Sequence, residues 1–373
     1  MKILMILSKE FTVDPRVYKE AKSLVEAGHQ VTVLMWDRIG ENEKESVIEK
    51  IKVIRLQNTG FMNILPNDLF RNPLWWRMAY EKGVHLHKNV FVFDVVHCHD
   101  LDTLFAGVLL KQKLGVRLVY DAHEIFGYMI SRDMPQCIVK FAFLMEKVLV
   151  KKVDNIVTVN EPLEKYFKSI VRKKPITVVM NCKDLILNEY DPPRNDVFTL
   201  CYIGILHKNR MFPEIVDTIG MMNEIKFIIA GQKENLYESV KFRSKKYSNV
   251  HFLNTIPIAR VIPTTLESDA IICMINPSDL NDKIALPNKL FEAMVCGKPI
   301  ICTKGTYAGD LTEKLNCGLV VDYNPDAIKE AVLKLKNNPK LCEILGKNGL
   351  MAAKREYNWE AKKLILIKLY SNF

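Results

Sequence analysis

Short apolar runs alternate with helix-like stretches along this chain, halt at a polar segment near its middle, and then resume. Lys2–Leu7, Val31–Trp36, Ile51–Leu56, Val95–His99, Arg117–Tyr120, Ile156–Val159 and Ile176–Met180 are the first set of apolar runs. Helix-like stretches at Asp14–Ala27, Thr103–Leu114, Gln136–Val150 and Glu161–Ile170 separate them. Strands apolar on both faces, spaced by helices, argue for a parallel sheet covered on both sides. The pause at 184–196 contains Asp191-Pro192-Pro193-Arg194-Asn195-Asp196 and reads as a linker. The alternation restarts with strands expected at Leu200–Ile203, Phe227–Ala230, Val250–Leu253, Ala270–Ile275, Pro299–Cys302 and Leu319–Val321. Helices are expected at Arg210–Met221, Asn235–Lys246, Pro287–Cys296, Asp326–Lys336 and Pro339–Arg355, with a last one from about Trp359 to Tyr370. At 373 residues, two domains also fit the size. The expected architecture is α/β: two doubly wound Rossmann-like domains, 1–183 and 197–356, facing a central cleft, with residues 357–373 as a closing helix. Ligands of such sheets bind beyond the carboxyl ends of the strands.

Nine cysteines are scattered without a Cys-x-x-Cys pair, mostly in apolar runs. They read as small buried hydrophobes of a reducing, cytoplasmic protein, not as disulfides or a zinc site. No run approaches the ~18 apolar residues of a membrane span. Met1–Ser8 is too short for a signal peptide and reads as a first buried strand. The net charge of +10 falls mainly on the first half. That excess suits an anionic lipid surface or a phosphorylated substrate, and equally a generally basic surface. Nothing points to nucleic acid.

Four loops gather residues that carry chemistry. In Ser8–Val17, Asp14 suits an N-cap ahead of Pro15, and Arg16 supplies a cation. The loop has no glycine, so it is not a dinucleotide fingerprint. In Val95–Asp102, His97 and His99 share one side of a strand, with His99 and Asp100 at its carboxyl end. His97 reads as packed core, and two i,i+2 histidines alone supply only two metal ligands. In Tyr120-Asp121-Ala122-His123-Glu124, polar residues follow the next strand. In Tyr202–Arg210, Gly204 ends a strand and Lys208 and Arg210 precede a helix. The last motif is Leu286-Pro287-Asn288-Lys289-Leu290-Phe291-Glu292, followed by Gly297-Lys298-Pro299. Its helix start is a ready diphosphate site, and Glu292, one turn in, can accept from ribose hydroxyls. An ordinary amphipathic helix with Lys289 and Glu292 solvated accounts for the segment equally well.

Taken together, these motifs resemble the family 4 glycosyltransferases of GT-B architecture almost end to end. The resemblance runs through Asp14-Pro15-Arg16-Val17, Gly28-His29-Gln30-Val31, Asp94–Asp100, Tyr120–Glu124 and Tyr202-Ile203-Gly204. It closes on Pro287–Glu292, Gly297-Lys298-Pro299-Ile300, Gly318–Val321 and Tyr357-Asn358-Trp359-Glu360. It implies a retaining transfer from a nucleotide-sugar donor on the second domain to a glycan or lipid-linked acceptor on the first. By position, Glu292 holds the ribose. Pro287, Asn288, Lys289 and Arg210 hold the diphosphate, Gly204 is also donor-binding, and His99, Arg210 and Lys289 are catalytic. His99 lies by the transferred sugar or incoming hydroxyl, with Asp14, Arg16, Asp100, His123 and Glu124 around the acceptor or sugar. The last helix crosses back to the first domain. The chain departs from the common pattern at Ile284, where a first glutamate is usual, at Gly204-Ile205 in place of Gly-Arg, and in the missing loop glycines.

No Asp-x-Asp donor motif stands in the second half, and Asp100-Leu101-Asp102 follows the histidine strand of the first. The expected reaction therefore uses no metal ion or other cofactor. Two other readings stay open: a nucleotide-sugar epimerase of the same architecture, and a non-catalytic sugar-nucleotide-binding protein. Phe61–Pro66 and Pro73–Tyr80 set aromatics beside basic residues. They suit peripheral attachment to an anionic membrane, or a helix packed on the core through Trp75 and Met78.

Overall fold

The structure is a computed structural model and describes residues 1–233 and 236–373. The chain divides into two units: Met1–Met180 with Lys363–Phe373, and Asn181–Lys362.

The first unit is built on eight strands: β1 Lys2–Leu7, β2 Gln30–Asp37, β3 Glu45–Ile48, β4 Ile51–Gln57, β5 Val95–His99, β6 Arg117–Ala122, β7 Asn155–Thr158 and β8 Ile176–Val178. Their order is β3-β4-β2-β1-β5-β6-β7-β8, parallel throughout except for β3. β3 was not expected. It alternates exposed and half-buried residues at the sheet edge and carries no apolar run. The order reverses at β1 and β5, which pair Ile3 with Val95 and Ile6 with Cys98. Both faces are covered by helices, and β1, β5 and β6 are buried almost end to end. Trp75 and Trp36 stack at 5.3 Å, both enclosed. Trp75 is therefore a core residue of the helix Asp68–Asn89 and not part of a lipid-facing surface.

The second unit holds β9 Phe198–Ile203, β10 Ile225–Ala230, β11 Val250–Phe252, β12 Ala270–Cys273, β13 Ile300–Thr303 and β14 Gly318–Val321. Their order is β11-β10-β9-β12-β13-β14, all parallel, with the reversal at β9 and β12. Helices packed on this sheet bury Ile215, Val216, Ile219, Val240, Ile328 and Val332.

Several expected boundaries move. Residues 184–196 belong to the second unit: Asn195 Nδ2 donates to the Asp269 carboxylate (2.9 Å), and Tyr190 lies against Gly297. In place of one helix at Arg210–Met221, a short 3₁₀ turn at Lys208–Arg210 precedes a helix at Glu214–Gly220. The helix expected at Asn235–Lys246 is observed at Tyr237–Ser244, and Asn235 lies outside the described residues. The last helix, Trp359–Ser371, starts in the second unit, where Trp359 N donates to Lys183 O. It ends in the first, where the Tyr370 hydroxyl pairs with His97 Nδ1 at 2.5 Å.

Candidate active site

Each unit collects its candidate residues where its strand order reverses, at the carboxyl ends of the strands. This is where open α/β sheets hold ligands.

In the second unit β9 ends at Ile203, and the next residue, Gly204, has φ +147°. That conformation is open to glycine and strained for other residues. A Cβ at Gly204 would stand 2.5 Å from Lys289 Nζ. The missing side chain thus lets Lys289 cross the strand end, donate to Ile203 O at 3.1 Å, and lie 4.3 Å from the Tyr202 ring centre. Lys289 is the second residue of the helix Asn288–Val295, whose N-cap is Pro287. Pro287 is thus one position earlier than the first-turn place expected for it. Its extended ψ of 145° sets the entry, and no side chain caps the helix. The amides of Asn288 and Lys289 come first in the helix, where intrahelical acceptors do not exist.

Arg210 lies on the 3₁₀ turn after β9. It grips Asp282 with both terminal nitrogens, at 2.7 and 2.8 Å. Asp282 is nine-tenths enclosed and also accepts from Asn209 Nδ2 at 3.2 Å. Burial opposes the Arg210 charge, and Asp282 more than restores it. The sequence marked Asp282 only as a carboxylate near Ile284; this ion pair spans 72 residues and had no local signal. Glu292 accepts from Lys183 Nζ at 3.0 Å, and Asn288 Oδ1 accepts from Asn181 Nδ2 at 3.1 Å. Beside Gly204, a cavity of about 140 Å³ is bounded by Gly231, Gln232, Thr255 and Ile256.

In the first unit Asp14 caps the helix Pro15–Glu26, accepting from Arg16 N at 3.1 Å and Val17 N at 3.4 Å. It also pairs with Lys9 Nζ at 2.9 Å. Burial pushes the Asp14 carboxyl up, but Arg16 and Lys9 outweigh it and hold it at about 2. Arg16 keeps its charge against burial because Asp14, Asp100, Asp121 and Glu124 surround it. Asp100 has φ +61° and ψ 166°, a conformation rarely taken by residues with a side chain. Its carboxylate lies 3.4 Å from His123 Nδ1, and its backbone N donates to Asp121 O. Strain at a strand end, repaid by an ion pair, is a mark of a functional position.

Asp121 Oδ2 accepts from His99 Nδ1 (3.0 Å) and from His123 Nε2 (2.8 Å). His123 thus lies between two carboxylates. Burial and Arg16 push its pKa down, but Asp121 and Asp100 raise it to about 10, so it is an imidazolium at neutral pH. His99 takes the opposite course. Burial and the neighbouring His97 lower it to about 4, so it is neutral, with its proton on Nδ1 and an unpartnered Nε2. Both imidazole rings are enclosed. His99, expected by the transferred sugar or the incoming hydroxyl, is fully enclosed, whereas the nearby Lys9, Arg16 and Asp100 keep part of their surface open.

That layer also contains His97 and Glu20. Donor atoms of Glu20, His97, His99 and Asp121 lie within 4.8 Å of one another, enough for a metal ion. The sequence found only the two histidines; Glu20 comes from a helix and Asp121 from the adjacent strand. Burial and Asp121 drive the Glu20 carboxyl well above its usual range, and Glu20 Oε2 and Asp121 Oδ1 are buried without a hydrogen-bond partner.

Residues 15–185 match the family described as Glycosyltransferase Family 4, and residues 194–351 match Glycosyl transferases group 1. Among curated proteins, an uncharacterised glycosyltransferase of Methanocaldococcus jannaschii is 24% identical over 324 residues, covering 80% of this chain and 79% of the relative. Among solved structures, sucrose-phosphate synthase from Thermosynechococcus elongatus superposes with a TM-score of 0.80 at 16% identity, over 100% of this chain and 98% of that one. Anabaena HepE in complex with UDP-glucose gives 0.73 at 13% identity, with 100% of both chains covered.

Proposed function

Since the chain belongs to the family 4 glycosyltransferases and has their GT-B fold, we propose that it transfers a sugar, with retention, from a nucleoside-diphosphate sugar held by its second unit to a hydroxyl of a glycan or lipid-linked acceptor at its first. Membership in a transferase family displaces the epimerase and non-catalytic readings. The observation that carries the donor assignment is the passage of Lys289 over Gly204 at the open start of the helix Asn288–Val295. A diphosphate seated there meets two free-standing amides, the helix dipole and an ammonium group. Arg210 adds positive charge at the same strand end, balanced in part by Asp282. Glu292 is one turn in, where its carboxylate can exchange Lys183 for ribose hydroxyls. The cavity by Gly231 and Thr255 suits a planar base. Because HepE was solved with UDP-glucose, uridine diphosphate sugars are the first donors to try.

Breaking the bond from sugar C1 to the diphosphate oxygen builds negative charge on the leaving group. The helix amides, Lys289 and Arg210 stabilise that charge, so the reaction needs no metal ion. On the same face, the acceptor oxygen bonds to C1 while its proton passes to the departing phosphate, and configuration is retained. In the first unit, Lys9, Arg16, Asp100 and Glu124 offer donors and acceptors to sugar hydroxyls. His99 and His123 act through Asp121 and Asp100, whose carboxylates they hold in place.

Thermal shift against a panel of nucleotide-sugars tests the donor, since a ligand stabilises the state it binds. The reading predicts a rise with at least one nucleoside-diphosphate sugar and its loss in Lys289→Ala. A rise of equal size in that variant contradicts it.

A further inference from the structure

The helix Gln136–Leu149 of the first unit turns its apolar residues both ways. Val139, Ala142 and Leu149 are enclosed, and so is Glu146, whose carboxylate accepts from the Tyr120 and Tyr166 hydroxyls. The opposite face is open. Phe141 and Leu144 are each 58% exposed and Val148 is 49% exposed. Single exposed apolar residues are ordinary, but these three recur at steps of three and four and so form one stripe. Lys140 and Lys147 flank the stripe, and Lys151 and Lys152 follow the helix; all four are exposed. Within the helix the acidic residue is Glu146, which faces inward.

We propose that this face, Lys140-Phe141-Leu144-Lys147-Val148, docks the protein on an anionic lipid surface, with the helix lying in the plane of the interface. Phe141, Leu144 and Val148 enter the headgroup boundary, and the lysines remain among the anionic headgroups. Charge selects this occupant. A second copy packed face to face would set lysine against lysine, and three apolar side chains fall far short of the ~800 Å² per partner of a stable protein interface. A lipid surface requires no such area and supplies the opposite charge. Each lysine near it strengthens binding about five-fold. The proposal adds to the segments Phe61–Pro66 and Pro73–Tyr80, where the sequence suggested a membrane contact, a helix that the sequence marked only as a helix. It rests on no part of the donor or acceptor assignment.

Co-sedimentation of the full-length protein with vesicles tests it, using phosphatidylcholine alone and phosphatidylcholine mixed with phosphatidylglycerol. The protein should pellet with the anionic vesicles and not with the neutral ones, and release as salt rises. Phe141→Ser with Leu144→Ser should abolish binding. Lys140→Glu with Lys147→Glu should weaken it about a hundred-fold or more. Because these side chains are exposed, the melting temperature of both variants should match the parent. A second readout needs no such variant: Cys137, exposed on the same face, takes an environment-sensitive fluorophore whose emission should shift blue on anionic vesicles. Three results overturn the proposal: no pelleting with anionic vesicles, equal pelleting of parent and variants, or no shift at Cys137. Self-association of the parent that Phe141→Ser with Leu144→Ser removes, without vesicle binding, assigns the face to a second copy and overturns it as well.

Discussion

Lys289 Nζ occupies space at the carboxyl end of β9 that Gly204 leaves open: a Cβ there would stand 2.5 Å from the Lys289 ammonium nitrogen. The glycine's φ of +147° bars a side chain a second time. Gly204→Ala is therefore expected to displace Lys289 and weaken donor binding about ten-fold or more, with a stability loss of roughly 1 kcal/mol. Because both changes act on one contact, Gly204→Ala and Lys289→Ala should be strongly non-additive. Titration calorimetry on the two single variants and the double reads this directly; additive losses contradict the link.

Lys289→Ala by itself removes one preorganised donor from the departing diphosphate. Turnover should fall about 10²- to 10³-fold. Steady-state kinetics with the donor found by thermal shift measures it, and unchanged kcat takes Lys289 out of the mechanism.

Arg210 serves two purposes that can be separated. Arg210→Ala leaves Asp282 enclosed without its cation, at a stability cost of roughly 3 kcal/mol. Adding Asp282→Asn removes the stranded charge and should restore much of the stability while turnover stays low. Chemical denaturation and kinetics on both variants distinguish the outcomes, and full recovery of turnover in the double variant argues against a role for Arg210 at the diphosphate.

The His123 imidazolium makes part of the stability dependent on pH. Its folded pKa, about 10, is above its ordinary 6.5. Its contribution is therefore complete below about pH 6.5 and is lost as pH rises through about 10. The stability difference between the parent and His123→Gln should shrink over that window. His99 has the opposite sign. Lowered to about 4, it contributes fully above its ordinary 6.5 and loses that contribution as pH falls toward 4. Nitrogen-15 NMR of the histidine rings should show His123 doubly protonated and His99 protonated on Nδ1 alone at neutral pH.

The enclosed group of Glu20, His97, His99 and Asp121 is expected to work with a proton, not a metal ion. Dialysis against EDTA should leave turnover unchanged and elemental analysis should find no stoichiometric metal; an equimolar metal whose loss abolishes activity contradicts this.

The fold was legible because its parallel strands are buried on both faces, which makes them continuous apolar runs. β1 and β5 have the bounds read from the sequence. The edge strand β3 was missed for the converse reason, since it has no buried face to write into the sequence. Asp14 could be read as a helix cap because capping is local: its partners are two and three residues away. The Arg210–Asp282 pair, Glu20 beneath the histidines and Tyr370 on His97 join residues remote in sequence, and no short pattern marks them. His99 was recognisable at its strand end, but its enclosure depends on neighbours contributed by other elements.

The most direct measurement is a crystal structure with a bound nucleoside-diphosphate sugar. Diphosphate oxygens should lie within hydrogen-bond reach of the Asn288 and Lys289 amides and of Lys289 Nζ, with the ribose on Glu292. A diphosphate bound away from the start of that helix contradicts it.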